Sequence, residues 1–199
     1  MRKTFDKVFW ILIVISIVYT LLTVWRNPEL IRNPYSDEWK NVTHDEYSFS
    51  IDYPDRLYLR LGDEHGIKGY KEAKLVVGAF GASALPDMLR ITVLVNTIDS
   101  PNLEYALEWR NEYFQGITSD PVRLINSGYR EIILLEDVLN GEPIYRRRYI
   151  FDKSEIMAEE IYISRDTDIV IIQLEVSEDH FEEYLPVFNR MVESFESLE

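Results

Sequence analysis

The chain has 199 residues, 46% of them hydrophobic, no cysteine, and a formal net charge of −14. That length holds one ordinary domain beside a short extra segment, and the apolar content is enough for a packed core. The absence of cysteine excludes disulfides, thiolate zinc sites, thiol nucleophiles and thioether-linked haem, while the acidic balance repels nucleic-acid phosphates and argues against that class of partner.

Residues 8–24 are seventeen consecutive positions without one charge. As a helix rising about 1.5 Å per residue they cover roughly 26 Å, which with Trp25 and slight bilayer thinning spans a hydrocarbon core of about 30 Å. Twelve of the seventeen are Val, Ile, Leu or Phe. Their summed insertion energy is roughly −4 to −7 kcal/mol as an upper bound, which outweighs the modest cost of Ser16, Thr20 and Thr23. Arg2, Lys3 and Lys7 precede the run against Asp6 alone, whereas Arg26, Arg32 and Lys40 behind it are matched by Glu29, Asp37 and Glu38. The positive-inside bias therefore puts the N-terminus in the cytoplasm and the remaining chain across the membrane. The alternative is a cleaved signal peptide, whose apolar region runs about 7–15 residues and ends in a small-x-small site. This run is longer and closes on Thr23-Val24-Trp25-Arg26-Asn27-Pro28.

The expected organisation is a cytoplasmic N-terminus and transmembrane anchor over residues 1–25, a linker over 26–38, and an extracytoplasmic domain over 39–199. Setting Arg2, Lys3, Lys7 and Asp6 aside leaves 18 basic and 34 acidic residues beyond Val24, a net of −16. Such a surface favours cations and basic protein surfaces, and it also serves plain solubility. In the linker, Asn27-Pro28 and Asn33-Pro34 both forbid a continuing helix, because the residue before proline is pushed out of the α region. Asn41-Val42-Thr43 is a glycosylation sequon, meaningful only in a eukaryotic secretory lumen.

From Trp39 the pattern is that of strands. Residues 47–53 alternate large apolar with small polar side chains, the period of a half-buried strand, and Pro54 ends the run. Short strands follow over residues 58–61, 75–80 and 89–97, with a loop over 62–69. A helix comes next, with Ser100 as N-cap and Pro101 at the first helical position. Leu103, Ala106, Leu107, Arg110 and Phe114 recur at helical spacing, Tyr105, Trp109 and Tyr113 form an aromatic stripe suited to helix–sheet packing, and Gly116 supplies the stop.

The second half reads as hairpins. Strands over residues 130–138 and 144–151 flank Asn140-Gly141, a strong type I′ turn signal. Strands over 156–164 and 169–176 flank Arg165-Asp166-Thr167-Asp168. In the last strand Val170, Ile172, Leu174 and Val176 face one way and Ile169 and Ile171 the other, so it should be central and covered on both faces. Phe181, Tyr184, Leu185, Phe188, Met191, Val192 and Phe195 then share one broad apolar helix face. Pro186 restricts the straight part of that helix to begin near Glu183.

The order of elements, with Phe49-Ser50-Ile51-Asp52-Tyr53-Pro54 early and Phe188 followed by Ser194-Phe195 late, resembles the PsbP-like family, named for an extrinsic subunit of photosystem II. Its members often carry an aromatic-rich strand ending in Tyr-Pro and a final helix ending in Ser-Phe. They often have Trp shortly after that Pro, where Arg56-Leu57-Tyr58 stands here. The resemblance covers roughly residues 39–196. It implies an α+β fold, a three-layer α/β/α sandwich around an antiparallel sheet, and a non-enzymatic, partner-binding role.

Individual motifs add little chemistry. Gly81-Ala82-Ser83-Ala84-Leu85 nearly matches a nucleophile elbow, but the elbow needs a second glycine where Leu85 stands and a helix directly after, against which Pro86-Asp87 argue. His44, His65 and His180 share no ligand spacing. Glu178, Asp179, His180, Glu182 and Glu183 gather oxygen ligands and an imidazole, yet acidic residues at a helix start are also what the helix dipole favours. The basic cluster Arg146-Arg147-Arg148 reads either as an anion-docking patch or as cross-strand partners. A two-residue turn at Lys153-Ser154 would set Arg148 opposite Glu159 and Arg147 opposite Glu160. No catalytic, cofactor-binding or metal-ligating residue is assigned. The expected function is a membrane-anchored, non-catalytic binding or assembly module with a protein partner. A carboxylate-dependent hydrolase and a carrier of a small apolar ligand are the rivals.

Overall fold

The computed structural model describes residues 37–67, 72–78, 89–97, 101–119, 129–151 and 155–198, together with Val18. The elements are β1 (Trp39–His44), β2 (Phe49–Pro54), β3 (Tyr58–Leu61), β4 (Ala73–Gly78), β5 (Arg90–Thr97), α1 (Leu103–Ser119), β6 (Tyr129–Leu139), β7 (Glu142–Phe151), β8 (Ile156–Ser164), β9 (Asp168–Ser177), α2 (Phe181–Glu193) and β10 (Glu196–Ser197). The apolar run at 8–24 lies, apart from Val18, outside these residues, as do the linker up to residue 36, the elbow-like Gly81–Leu85 motif and the Lys153-Ser154 turn. No described helix is long and apolar enough to cross a membrane.

The fold of residues 37–198, where described, is α+β, built from antiparallel sheets with helices α1 and α2. Seven strands pair in the order β3-β4-β5-β9-β8-β7-β6, every neighbour antiparallel. After β5 the chain crosses one face as α1, reaches the far edge at β6, and returns through three successive hairpin partners until β9 closes on β5. As the apolar pattern on both of its faces predicts, β9 is the fourth of the seven strands. Val170, Ile172, Leu174 and Val176 join the core under α2, and Ile169 and Ile171 join the one under α1. Each fully buried Ile or Val contributes about 1.5–3 kcal/mol through removal of apolar area from water.

A second sheet was not expected. Strand β2 lies between β1 and β10, and this three-stranded sheet packs on the same side of the large sheet as α2. Phe49, Ile51 and Tyr53 point from it into the core that Phe188, Met191, Val192 and Phe195 also fill. The final apolar face therefore does not belong to one helix. Helix α2 ends at Glu193, Phe195 packs beyond it, and Glu196 and Ser197 turn into a short strand on Ser50 and Phe49. Helix α2 also begins at Phe181, two residues before the expected start, and carries Pro186 inside it.

Helix α1 departs from its expected limits as well. The Asn102 side-chain oxygen accepts the Tyr105 N–H at 2.8 Å, so Asn102 is the cap in place of Ser100. The helix runs through Gly116 to Ser119 without stopping there. Between β6 and β7 the turn matches its sequence signature. Asn140 has φ 53° and Gly141 φ 91°, the paired left-handed conformation of a type I′ hairpin.

Candidate functional site

In a strand, successive side chains leave opposite faces, so Glu159 and Glu160 of β8 point to opposite sides of the large sheet. Both are fully buried. On the side facing α2, Glu159 is gripped by Arg146 and by Arg148, whose Nε and Nη2 lie 2.7 and 2.6 Å from the carboxylate. Arg146 also reaches Asp137 at 3.3 Å and the Asn189 side-chain oxygen at 3.2 Å, and the Arg148 guanidinium lies 4.7 Å from the centre of the Phe181 ring. The expected cross-strand register is observed: Arg148 stands opposite Glu159 and Arg147 opposite Glu160. Arg146 and Arg148 are therefore engaged with an interior carboxylate, which disfavours the anion-docking reading.

On the other side, Glu160 takes its arginine from α1. Arg110 donates to it from both Nε, at 3.0 Å, and Nη2. The hydroxyl of Tyr149 donates at 2.9 Å, Tyr162 donates to the second oxygen, and the Gln173 amide donates at 3.1 Å. Gln173 further donates to the Tyr149 oxygen at 2.8 Å and leans toward Glu175, which pairs with Arg90. Burial, and then the charge of Glu160, push the Tyr149 and Tyr162 phenols well above their ordinary pKa. Burial alone would lower the Arg110 pKa, but the facing Glu160 carboxylate, with the two phenols nearby, raises it. A carboxylate with this many donors is a structural anchor. Glu159 lies on the opposite face, and Glu175, which shares the Gln173 amide with Glu160, is itself paired with Arg90. The sequence signal for this network was available in Arg110, an arginine on the apolar phase of α1, and in two glutamates inside an otherwise apolar strand.

Among the described residues, two of the concavities that open to solvent lie near these elements. A groove of about 760 Å³ at one end of the sheets is lined by residues that include Glu46, Tyr47, Glu142, Asp166 and Thr167. Its floor is fixed by Arg165, which holds Asp168 at 2.6 and 2.5 Å and the main-chain oxygens of Tyr47 and Ser48 at 2.9 Å each. The carboxylates of Glu46, Glu142 and Asp166 give the groove an acidic lining. A second pocket, of about 370 Å³, lies between Leu103 and the β6–β7 hairpin, with Val138, Pro143, Ile144 and Tyr145 as its apolar wall and Glu136 and Asp137 beside them.

The histidines are scattered. His44 is buried with its Nε2 2.7 Å from the Gly62 oxygen and its ring against Tyr47 and Phe49. His65 neighbours Glu64 and His180 neighbours Glu183, both at 3.2 Å on the surface. Among the described residues no three His, Asp or Glu side chains gather as a metal site. Asn41 of the sequon is exposed on β1, and its amide donates to Asp52 at 2.9 Å.

No family model matches the chain, and no curated protein matches it in sequence. Its fold is similar to that of the cyanobacterial PsbP protein (CyanoP) of Synechocystis sp. PCC 6803. That likeness has a TM-score of 0.60 at 12% identity and covers 80% of this chain and 92% of that one. It is also similar to LpqN of Mycobacterium tuberculosis, a protein involved in cell envelope biogenesis, with a TM-score of 0.53 at 11% identity, covering 81% of this chain and 91% of that one. At these identities the likeness is one of fold, and the fold is PsbP-like.

Proposed function

We propose that this chain is a membrane-anchored, non-catalytic binding or assembly module whose domain lies outside the cytoplasm and meets a basic surface on a protein partner. The observation that carries the reading is the division of charge within the domain. Glu159 is engaged by the half-buried Arg146 and Arg148 and Glu160 by the buried Arg110, while the open groove beside Arg165 is lined by Glu46, Glu142 and Asp166. Charge arranged this way suits electrostatic attraction of a cationic partner better than acid–base chemistry on a small substrate. The similarity in fold to CyanoP, and to LpqN with its part in envelope biogenesis, supports the same reading. In the three-layer description that follows from it, α1 forms one layer, the seven-stranded sheet the second, and α2 with the small sheet the third.

The apolar run at 8–24 supplies the tether. Thirteen linker residues reach roughly 40 Å when extended, which lets the domain meet neighbours in the same membrane. Confinement raises their effective concentration, so a weak interface is adequate. The test is chemical cross-linking of the full-length chain in intact membranes at rising salt. Capture of a discrete partner should weaken as salt rises, because exposed charges more than about 8 Å apart are screened at physiological ionic strength. Protease added outside intact cells should reach the chain beyond Trp25. A cytoplasmic Glu199, salt-independent capture, or multiple turnover of a small substrate would each overturn the proposal.

A further inference from the structure

We propose that the outer edge of β6 is a docking edge at which an extended, basic segment of the partner adds as an eighth strand. The inference rests on the binding-module reading and adds a strand-pairing contact to the acidic groove beside Arg165. Strand β6 is the last of the seven and, among the described strands, has β7 as its one neighbour. It is eleven residues long, whereas β3 at the opposite edge has four. Long edge strands expose a row of unpaired main-chain donors and acceptors, and proteins usually shorten them or guard them with charge.

Here the guard is missing along the middle of the strand. Ile132, Ile133, Leu134 and Leu135 follow one another at 44, 39, 46 and 38% exposure, and Val138 stands at 64%. An edge strand with one wet face should alternate apolar and polar residues. Four apolar residues in succession are instead the pattern of β9, which has a strand on each side. A strand laid along β6 would satisfy its outward main-chain groups and cover apolar side chains on both faces at once, the mode known as β-augmentation. The register shift between Glu131 and Ile133 marks a bulge, so the regular pairing segment begins at Ile133.

Charge decides the occupant. From Ile133 onward the register with β7 places Leu134, Glu136 and Val138 on the face shared with Arg147, Tyr145 and Pro143, beside the pocket of about 370 Å³ next to Leu103. An added strand would set an apolar side chain toward that pocket and a Lys or Arg beside Glu136. A second copy of this chain fits less well. Arg130 pairs in register with Ile150, before the bulge, and so lies on the opposite face from Glu136. Antiparallel pairing of two β6 strands keeps faces matched and cannot bring Arg130 to Glu136, and two domains of this charge repel each other.

The test pans a displayed library of random decapeptides against the full-length chain in detergent, then measures the selected peptides by fluorescence anisotropy. The selected sequences should alternate apolar residues and carry Lys or Arg, and binding should slow amide exchange within residues 133–138. Leu134→Lys and Glu136→Lys should each weaken binding about tenfold or more, whereas Leu61→Lys, the same kind of charge change on exposed β3 at the far edge, should leave it unchanged. Selected peptides without alternation, binding indifferent to Leu134→Lys, or a wild-type dimer that Leu134→Lys splits would overturn the proposal. In membranes, partner capture that survives Leu134→Lys removes the docking edge and leaves the binding-module reading standing. A wild-type chain that captures nothing removes both.

Discussion

Arg110 reaches from helix α1 down to Glu160 in the middle of the large sheet, its Nε 3.0 Å from the carboxylate, with both side chains sealed from water. The pair joins a helix to a sheet on a face otherwise packed by Ala106, Tyr162, Ile169 and Ile171. Two charges in such a place stabilise the fold only together, because either one alone is a desolvated ion without a counter-charge. Arg110→Met should therefore cost about 3–5 kcal/mol of stability, whereas Arg110→Met with Glu160→Gln, which removes the stranded charge and keeps an acceptor for Tyr149 and Tyr162, should recover part of that loss. Urea unfolding of the two variants beside the wild type measures both. Equal losses in the single and double variants would show that the stranded Glu160 charge is not what the Arg110→Met loss consists of.

The two phenols on Glu160 predict an alkaline limit. Tyr149 and Tyr162 are held above their ordinary value of 10.0 in the folded state and return to it on unfolding. Between those values the unfolded chain releases protons that the folded chain keeps. Their contribution is thus complete below about pH 10 and is lost as pH rises toward the folded pKa. Stability should be level up to about pH 10 and fall above it, and Tyr149→Phe with Tyr162→Phe should flatten that fall. Titration of the near-ultraviolet tyrosinate band should find two phenols that ionise only as the protein unfolds.

The turn at Asn140-Gly141 isolates a purely conformational effect. A Cβ added at Gly141 would meet nothing within 4 Å, but φ there is +91°. Gly141→Ala should then cost about 1 kcal/mol through backbone strain alone, while Asn140→Gly at φ 53° should change stability by only a few tenths. Thermal unfolding resolves the difference. A neutral Gly141→Ala would mean that the hairpin adopts another turn.

Phe195 lies stacked on Phe49 with ring centroids 5.8 Å apart, and the neighbouring Ser194 hydroxyl accepts the Asp52 N–H at 2.9 Å. The two segments that carry the family resemblance thus meet in space. Phe195→Ala should cost about 3–5 kcal/mol by opening a cavity in the core. Ser194→Ala should cost about 1–3 kcal/mol by leaving a part-buried donor without its acceptor. If Ser194→Ala proves neutral, a water has replaced the hydroxyl.

Much of the fold was legible because it is local. The bounds of β3 and β8, the type I′ turn, and the pairing of Arg148 with Glu159 all follow from alternation and turn chemistry within a few residues. The central place of β9 followed from apolar residues on both of its faces. The ends of α1 and α2 depart from the local pattern for a related reason. Several residues near each end have caps or helix breakers as side chains, and only the completed packing selects Asn102 over Ser100, or turns the chain at Ser194 before Phe195.

The sequence by itself determined the element types, the antiparallel hairpins, the acidic surface and the apolar run at 8–24, because each depends on composition or on periodicity along the chain. Only the tertiary structure decided that β9 pairs with β5, that β10 completes a second sheet on β2, and that Glu160 belongs to Arg110 although it stands opposite Arg147. Those choices join residues as much as 148 positions apart, as between Phe49 and Ser197. No local pattern encodes them, since many strands could offer the same ladder. What selects among them is which arrangement buries the most apolar surface and leaves interior charges such as Glu159 and Glu160 with partners.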